Sequence, residues 1–365
     1  MRKYGCSEEE LFSFLSSVKG RDLGYHKVLS SMCTLPHPVA VKAHNLFIES
    51  NLGDPGLFPG SMSLENLLVE RLGTLMHHPA AGGYGTSGGT ESNLQVLRIA
   101  KSLKKTSSPN IVVPASAHFS FEKACDILSL EMRTVPYDGG YRMDSGQIED
   151  KTDKNTICLV GIAGTTEYGV VDPISHLSDL AEDKDIYLHV DAAFGGLVLP
   201  FIDNSPVFDF RLPGVSSISI DPHKMGLSTI PSGCLLVKDE NMFRELGVDT
   251  PYLTVNREYT LHGTRCGAAV AAAVAVIEYL GTEGFSSIVS ECMANTQRLI
   301  SGMKRLGYPV VVQPDVNVAT FECNINLPGW VISRTRAGHM RIVPMPHVTR
   351  DIIERFLTEI GEVNV

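Results

Sequence analysis

A chain of 365 residues exceeds one ordinary domain, and 43% hydrophobic with 20% charged residues is the composition of a globular protein with a full core. The net charge of −10, from 31 basic against 41 acidic residues, argues against a nucleic-acid-binding or anionic-membrane surface. The eight cysteines are scattered without a Cys-x-x-Cys pair, which argues against a metal centre or a disulfide framework and leaves them as buried reduced thiols.

The opening residues, Met1 to Leu11, are charged and lack the apolar stretch of a signal peptide, so a cytoplasmic protein is expected. The text after them is turn-rich. "CTLPHPVA" and "NLGDPGLFPG" carry Pro and Gly that oppose long regular elements, and residues 1–60 read as an N-terminal segment. From Leu64 the chain takes up an α/β rhythm. Residues 90–103 read as a helix with apolar positions at Leu94, Leu97 and Ile99, residues 111–113 as a strand, and 121–130 as a helix. Further strands are predicted at 157–162, 186–190, 217–220 and 233–237, with a helix over 173–182 opened by an Asp-Pro pair. Strands separated by helices predict a mostly parallel sheet covered on both faces, spanning 61–262.

After Pro251 the pattern changes. An Ala-rich helix over 265–280, a second over 286–306, strands near 310–312, 319–323 and 340–343, and a last helix over 349–360 predict a small α+β domain within 263–365. The most apolar stretch, 266–280, is interrupted by Glu278 and falls short of the roughly 18 apolar residues of a membrane span, so a buried helix is expected.

Ligands of parallel sheets sit at the carboxyl ends of strands, and the chemically notable residues fall there. Lys224, in "SISIDPHKMG", follows an apolar strand, an odd place for a solvated charge; an aldehyde cofactor would use it as a Schiff-base nucleophile. Asp191, in "YLHVDAAFGG", is a carboxylate directly after an apolar strand, costly unless paired. Pyridoxal 5'-phosphate (PLP) needs such a group at its ring nitrogen, and the small Ala192 and Ala193 would let the ring lie close. "GTSGGTESN", from Gly85, joins a glycine-rich turn to a helix start, where free N–H groups and the positive dipole end suit a phosphate. His118, in "PASAHFSFEKA", could stack on a ring. Read singly, each has a plainer meaning: a surface lysine, a turn-capping Asp, a tight turn, a structural histidine.

Together, "SAHFSFEKA", "GTTEYG", "HVDAAFGG", "DPHKMG" and "LHGTR", in that order, resemble the group II PLP-dependent amino-acid decarboxylases, over nearly the whole chain. "SMCTLPHPVA", "NLGDPGLFPG" and "MRIVPMPHVTR" resemble more closely the archaeal L-tyrosine/L-aspartate decarboxylases associated with methanofuran and coenzyme A synthesis. The resemblance implies an α/β protein of the PLP-dependent transferase fold type I (aspartate-aminotransferase-like). A large domain with a mostly parallel mixed sheet would be followed by a small C-terminal α+β domain. It implies that Lys224 holds PLP, Asp191 pairs with the pyridine nitrogen and His118 stacks. Gly88, Gly89 and Thr90 would bind the phosphate, helped by His223 and by Gly263 from a second subunit of a homodimer with shared sites. Thr166 would lie near the ring substituents, Ala193 under the ring, and Arg341 would receive the carboxylate of a small amino-acid substrate, L-tyrosine and/or L-aspartate. No metal is implied.

Two departures stand against the animal aromatic members of that family. The chain is much shorter than theirs, and their mobile loop with its catalytic tyrosine has no assignable counterpart. Tyr252 and Tyr259 lie in the right region without either being identified as the proton donor. Two rival readings remain: a PLP-dependent aldehyde lyase of the sphingosine-phosphate-lyase type, which shares the His-Lys and Asp-Ala-Ala motifs, and a catalytically silent protein on the same fold.

Overall fold

A computed structural model describes residues 1–363. Seven short strands build the central sheet: β1 (Gly82–Thr86), β2 (Asn110–Pro114), β3 (Glu131–Val135), β4 (Thr156–Ile162), β5 (Tyr187–Asp191), β6 (Val215–Ile220) and β7 (Gly233–Val237). Their order is β1-β7-β6-β5-β4-β2-β3, and β7 runs against the other six. The sheet is therefore mostly parallel but mixed. Strands β2, β4, β5 and β7 are buried at every position, which is why they read as unbroken apolar runs rather than as alternation.

The helices are α1 (Glu8–Lys19), α2 (Pro38–Leu46), α3 (Pro59–Leu75), α4 (Gly89–Leu103), α5 (Ser120–Leu128), α6 (Ile148–Lys151), α7 (Ile174–Lys184), α8 (Gly267–Arg305) and α9 (Arg350–Val363). Successive strand residues point to opposite faces, so the sheet has two hydrophobic clusters. Val112, Leu159, Leu188 and Leu236 pack with Leu68 and Leu72 of α3 and Leu177 of α7. Ile111, Val113, Val160 and Leu235 pack with Val96 and Leu97 of α4 and Phe121 of α5.

A smaller sheet follows, ordered β10 (Ala319–Phe321), β12 (Met340–Ile342), β11 (Ser333–Arg334). Phe321, Met340 and Ile342 pack there with Leu299 and Met303 of α8 and Ile353 and Phe356 of α9. Leu29 joins the same cluster, and its carbonyl accepts from the Val343 amide, so the N-terminal segment is laced to this region. The remaining pair, β8 (Val248–Asp249) and β9 (Arg257–Glu258), forms a small antiparallel ladder between the two sheets in sequence.

Several expectations are corrected. The prolines taken as breakers open helices instead: Pro38 and Pro59 occupy the first positions of α2 and α3, where a missing N–H costs nothing. Helix α1, capped by a reciprocal Ser7–Glu10 box, was also not foreseen. Strand β1 escaped notice because its glycines mask it, yet they are required: a Cβ on Gly83 would meet the Leu235 carbonyl oxygen at 2.3 Å. Strand β3 is a largely solvent-facing edge strand without an apolar run. Residues 310–312 make a single bridge from Val310 to Phe321, not a strand.

The two helices expected over 265–306 are both present: the segment α8 is interrupted at Gly281, whose φ of 56° with ψ of −171° is non-helical and a combination open essentially to glycine alone. By length and composition α8 could cross a membrane, beyond what the 266–280 stretch suggested, but half of its most apolar window is buried inside the protein. It packs on α2 and α3.

Candidate active site

The carboxyl ends of β2, β4, β5 and β6, with the β1–α4 turn, surround a cavity of about 350 Å3. Lys224 and Asp191, expected at strand ends, both line it, with His118, Gly88, Gly89, Thr90, Thr166, Ala193 and His223. Asp191 is the last residue of β5 rather than the first beyond it, so its carboxylate is held by the sheet itself.

Asp191 is 6% exposed and fully engaged. Its Oδ1 accepts from the Ala193 amide at 3.1 Å and the Ser219 hydroxyl at 3.4 Å, and its Oδ2 accepts from Asn93 Nδ2 at 3.0 Å. Asn93 Oδ1 in turn lies 3.1 Å from Nε2 of His189, whose Nδ1 is 2.9 Å from Ser217 Oγ. Burial pushes the His189 pKa down, to about 4, outweighing the pull of Asp191, so the ring is neutral and donates through Nε2.

Lys224 sits in the turn after β6, closed by its amide donating to the Asp221 carbonyl at 2.9 Å. Its Nζ is 3.2 Å from Asp221 Oδ2. Burial pulls the lysine pKa down, but the Asp221 and Asp191 carboxylates outweigh it and hold the amine above its ordinary value. His223, one residue earlier, places Nδ1 2.5 Å from the Ser232 carbonyl oxygen and Nε2 3.8 Å from Asp221 Oδ2.

Gly88 has φ 142°, and a Cβ there would meet His223 Cε1 at 3.1 Å. On Gly89 it would meet Ala193 Cβ at 3.3 Å, so these positions keep the backbone open where α4 begins. The first amides of that helix have no intrahelical acceptor and point their dipole end into the cavity. Across the cavity, His118 Nδ1 accepts from the Ser120 amide at 3.3 Å, leaving the ring proton on Nε2. Burial lowers the His118 pKa against the opposing pull of Asp191, so this imidazole too is neutral.

Four residues the sequence reading singled out lie apart. Arg341 does not line the cavity. It is buried, donates from Nε to the Thr166 carbonyl and from Nη1 to Ser30 O and Ser333 Oγ, and keeps Nη2 without a partner. Burial drives its pKa down to about 10. Gly263 is exposed and outside the cavity, its carbonyl oxygen occupying the space a Cβ on Gly53 would need. Tyr252 is solvent-exposed, and Tyr259 is stacked on Phe243 with ring centroids 4.7 Å apart; neither reaches the cavity.

Sequence reasoning missed Asn93 and Asp221. Both lay inside motifs it quoted, but their value comes from partners in other elements. It also missed Ser116, whose buried hydroxyl lines the cavity unpaired.

The residues present fit PLP: an open glycine turn at a helix start for an anion, a buried carboxylate, an amine, and flat and small side chains to bracket a ring. Asp221 Oδ1 and Ser116 Oγ, on two residues that line the cavity, are buried without a partner. Such a cavity on such a sheet defines a PLP-dependent enzyme, and comparison with known proteins narrows the class. Residues 45–321 match the pyridoxal-dependent decarboxylase conserved domain. The chain belongs to this family of PLP-dependent carboxy-lyases.

Among its relatives, the probable L-tyrosine/L-aspartate decarboxylase of Methanoculleus marisnigri is 65% identical over all of both chains. The probable L-aspartate decarboxylase of Archaeoglobus fulgidus is 48% identical over 97% of this chain and 99% of its own. Among solved structures, the sphingosine-1-phosphate lyase of Burkholderia pseudomallei has TM-score 0.91 at 27% identity, covering 99% of this chain and 91% of its own. The glutamate decarboxylase of Lactobacillus brevis has TM-score 0.91 at 22% identity, covering 99% and 93%, and shows the shared fold.

Proposed function

We propose that this chain removes the α-carboxylate of L-tyrosine and/or L-aspartate, giving tyramine or β-alanine. The reading is carried by the full-length 65% identity to the Methanoculleus relative, joined to a cavity with the residue types this chemistry needs. Bound PLP supplies an electron sink for the bonding pair left when a substituent departs from Cα. Lys224 is the amine that holds the cofactor aldehyde. Asp191, oriented by Asn93, Ser219 and the Ala193 amide, holds a proton on the ring nitrogen. His118 and Ala193 bracket the ring, Thr166 borders its substituents, and Gly88, Gly89, Thr90 and His223 receive the phosphate.

Arg341 supplies the cation for the substrate carboxylate; a guanidinium whose Nε holds the carbonyl of Thr166, a cavity residue, and whose Nη2 is buried and unpartnered supports this. Phe119 and Phe194 give the cavity an apolar side that disfavours a charged carboxylate relative to neutral CO2. The working unit is a homodimer in which Gly263 of the partner subunit completes the phosphate site. Helix α1 supports the dimer: it buries nothing in its own chain while exposing Leu11, Phe12, Phe14 and Leu15. The products would feed methanofuran or coenzyme A assembly in the cytoplasm.

The test is product analysis after incubating the purified holoenzyme with each common amino acid. Tyramine or β-alanine with CO2 is expected. Aldehyde release from a phosphorylated long-chain amine, with no amine product from any amino acid, would replace this reading with the lyase one. Borohydride should trap PLP on Lys224, and a labelled peptide from elsewhere would overturn that assignment.

A further inference from the structure

Asp221 is a carboxylate in a place built for an anion. Its side chain is 3% exposed, and Oδ1 has no hydrogen-bond partner. An ideal Cβ on Gly89 would lie 3.3 Å from Oδ2 and 3.8 Å from Oδ1, and one on Gly88 4.0 Å from Oδ1. The carboxylate therefore borders the space the two glycines leave open at the start of α4. Its near cation is Lys224, at 3.2 Å, with His223 Nε2 at 3.8 Å. Asp191 adds a second carboxylate to the same cavity. From α4, Glu91 is turned away, accepting from the Ser87 amide at 2.7 Å and lying 3.3 Å from His262.

A fully ionised anion in this cradle would meet the Asp221 carboxylate without water between them. Lys224 does not separate them: its amine faces Oδ2, and Oδ1 is left without a partner. A single proton removes the conflict: an O–H on the anion donates, and Oδ1 accepts. Phosphate monoesters can retain such a proton, their second pKa being about 6, and a facing carboxylate favours the protonated form. Sulfate has the same shape and no proton to offer.

We propose that the Gly88–Gly89 cradle binds the cofactor phosphate together with one proton shared with Asp221, and so selects phosphate over sulfate. This rests on the assignment of Gly88, Gly89 and Thr90 to the phosphate. The carboxylate is then a selector rather than an intruder. A buried site arranged to accept a hydrogen bond rejects a ligand that lacks the donor.

The experiment uses the full chain freed of PLP. Inorganic phosphate and sulfate, at one pH near neutrality and matched ionic strength, compete with PLP for reloading, read as borohydride-trapped cofactor by mass. In the native protein, sulfate should compete at least about a hundredfold more weakly than phosphate. In Asp221→Asn the amide can donate to either anion, and the two should compete within about threefold of each other. Pyridoxal, which has no phosphate, should be trapped on Lys224 equally in both proteins, separating the effect from misfolding or loss of the Lys224 contact. Equal competition by both anions in the native protein overturns the inference and leaves the cradle assignment standing. Competition by neither overturns both. A phosphate preference that persists in Asp221→Asn removes Asp221 from the cause.

Discussion

Asn93 donates from Nδ2 to Asp191 Oδ2 at 3.0 Å while its Oδ1 lies 3.1 Å from His189 Nε2. It therefore transmits the orientation of a buried neutral imidazole to the carboxylate proposed to face the ring nitrogen. Asn93→Ala leaves Asp191 and His189 each short of a partner, worth about 1–3 kcal/mol, so turnover should fall about ten- to a hundredfold with PLP still bound. Asp191→Asn, which removes the charge itself, should cost on the order of a thousandfold or more. Steady-state kinetics beside PLP content checks both; an Asn93→Ala enzyme with native turnover would show that the relay is only structural.

His189 also sets an acid limit. Its folded pKa lies at about 4, below the ordinary 6.5, because burial disfavours the charged ring. Between these values the unfolded chain binds a proton that the folded chain refuses, so stability falls as pH drops from 6.5 towards 4. The loss is on the order of 3 kcal/mol at most from this group. Imidazole NMR should show a His189 ring that stays neutral at pH 5.5; titration near 6.5 would contradict the buried network.

Gly88→Ala should spoil the cradle. A φ of 142° is open to glycine and strained for alanine, and the new methyl would press on His223 Cε1 at 3.1 Å. Backbone strain of about 1–3 kcal/mol should appear as PLP affinity weakened roughly five- to a hundredfold. Equilibrium dialysis of the cofactor measures it, with the unchanged circular dichroism of the fold as control.

Arg341→Met should raise KM for the amino acid at least about tenfold, with a smaller change in kcat. The buried guanidinium also holds the Thr166 and Ser30 carbonyls, so a loss of about 1–3 kcal/mol in stability should accompany it. An unchanged KM in a destabilised protein would assign Arg341 to structure alone.

Mixing inactive Lys224→Ala subunits with inactive Gly263→Glu subunits should partly restore activity if sites are shared. One of the two sites in a mixed dimer then has both Lys224 and the partner's glycine intact. The glutamate would otherwise set bulk and negative charge against the phosphate. No recovery, with mixed dimers confirmed by mass, would count against a shared site.

The sequence by itself determined what is local in this protein. Apolar runs bounded by turns marked β2, β4, β5, β6 and β7, and the "DPHK" and "DAAFGG" texts put Lys224 and Asp191 at or just past strand ends. Those signals are readable because strand burial, turn residues and helix starts depend on a few neighbours. Glycine-rich β1, the polar edge strand β3 and the solvent-facing α1 carried no such pattern. Only the tertiary structure decided which side chains meet. Asn93 and Asp191 are 98 residues apart in the chain, and Arg341 lies 175 residues from the Thr166 carbonyl it holds. Such pairs are made by strand order and by the packing of α4 and the small sheet against strand ends. Nothing in the residues beside Asn93 says that its amide is buried, or that it faces a carboxylate and not water.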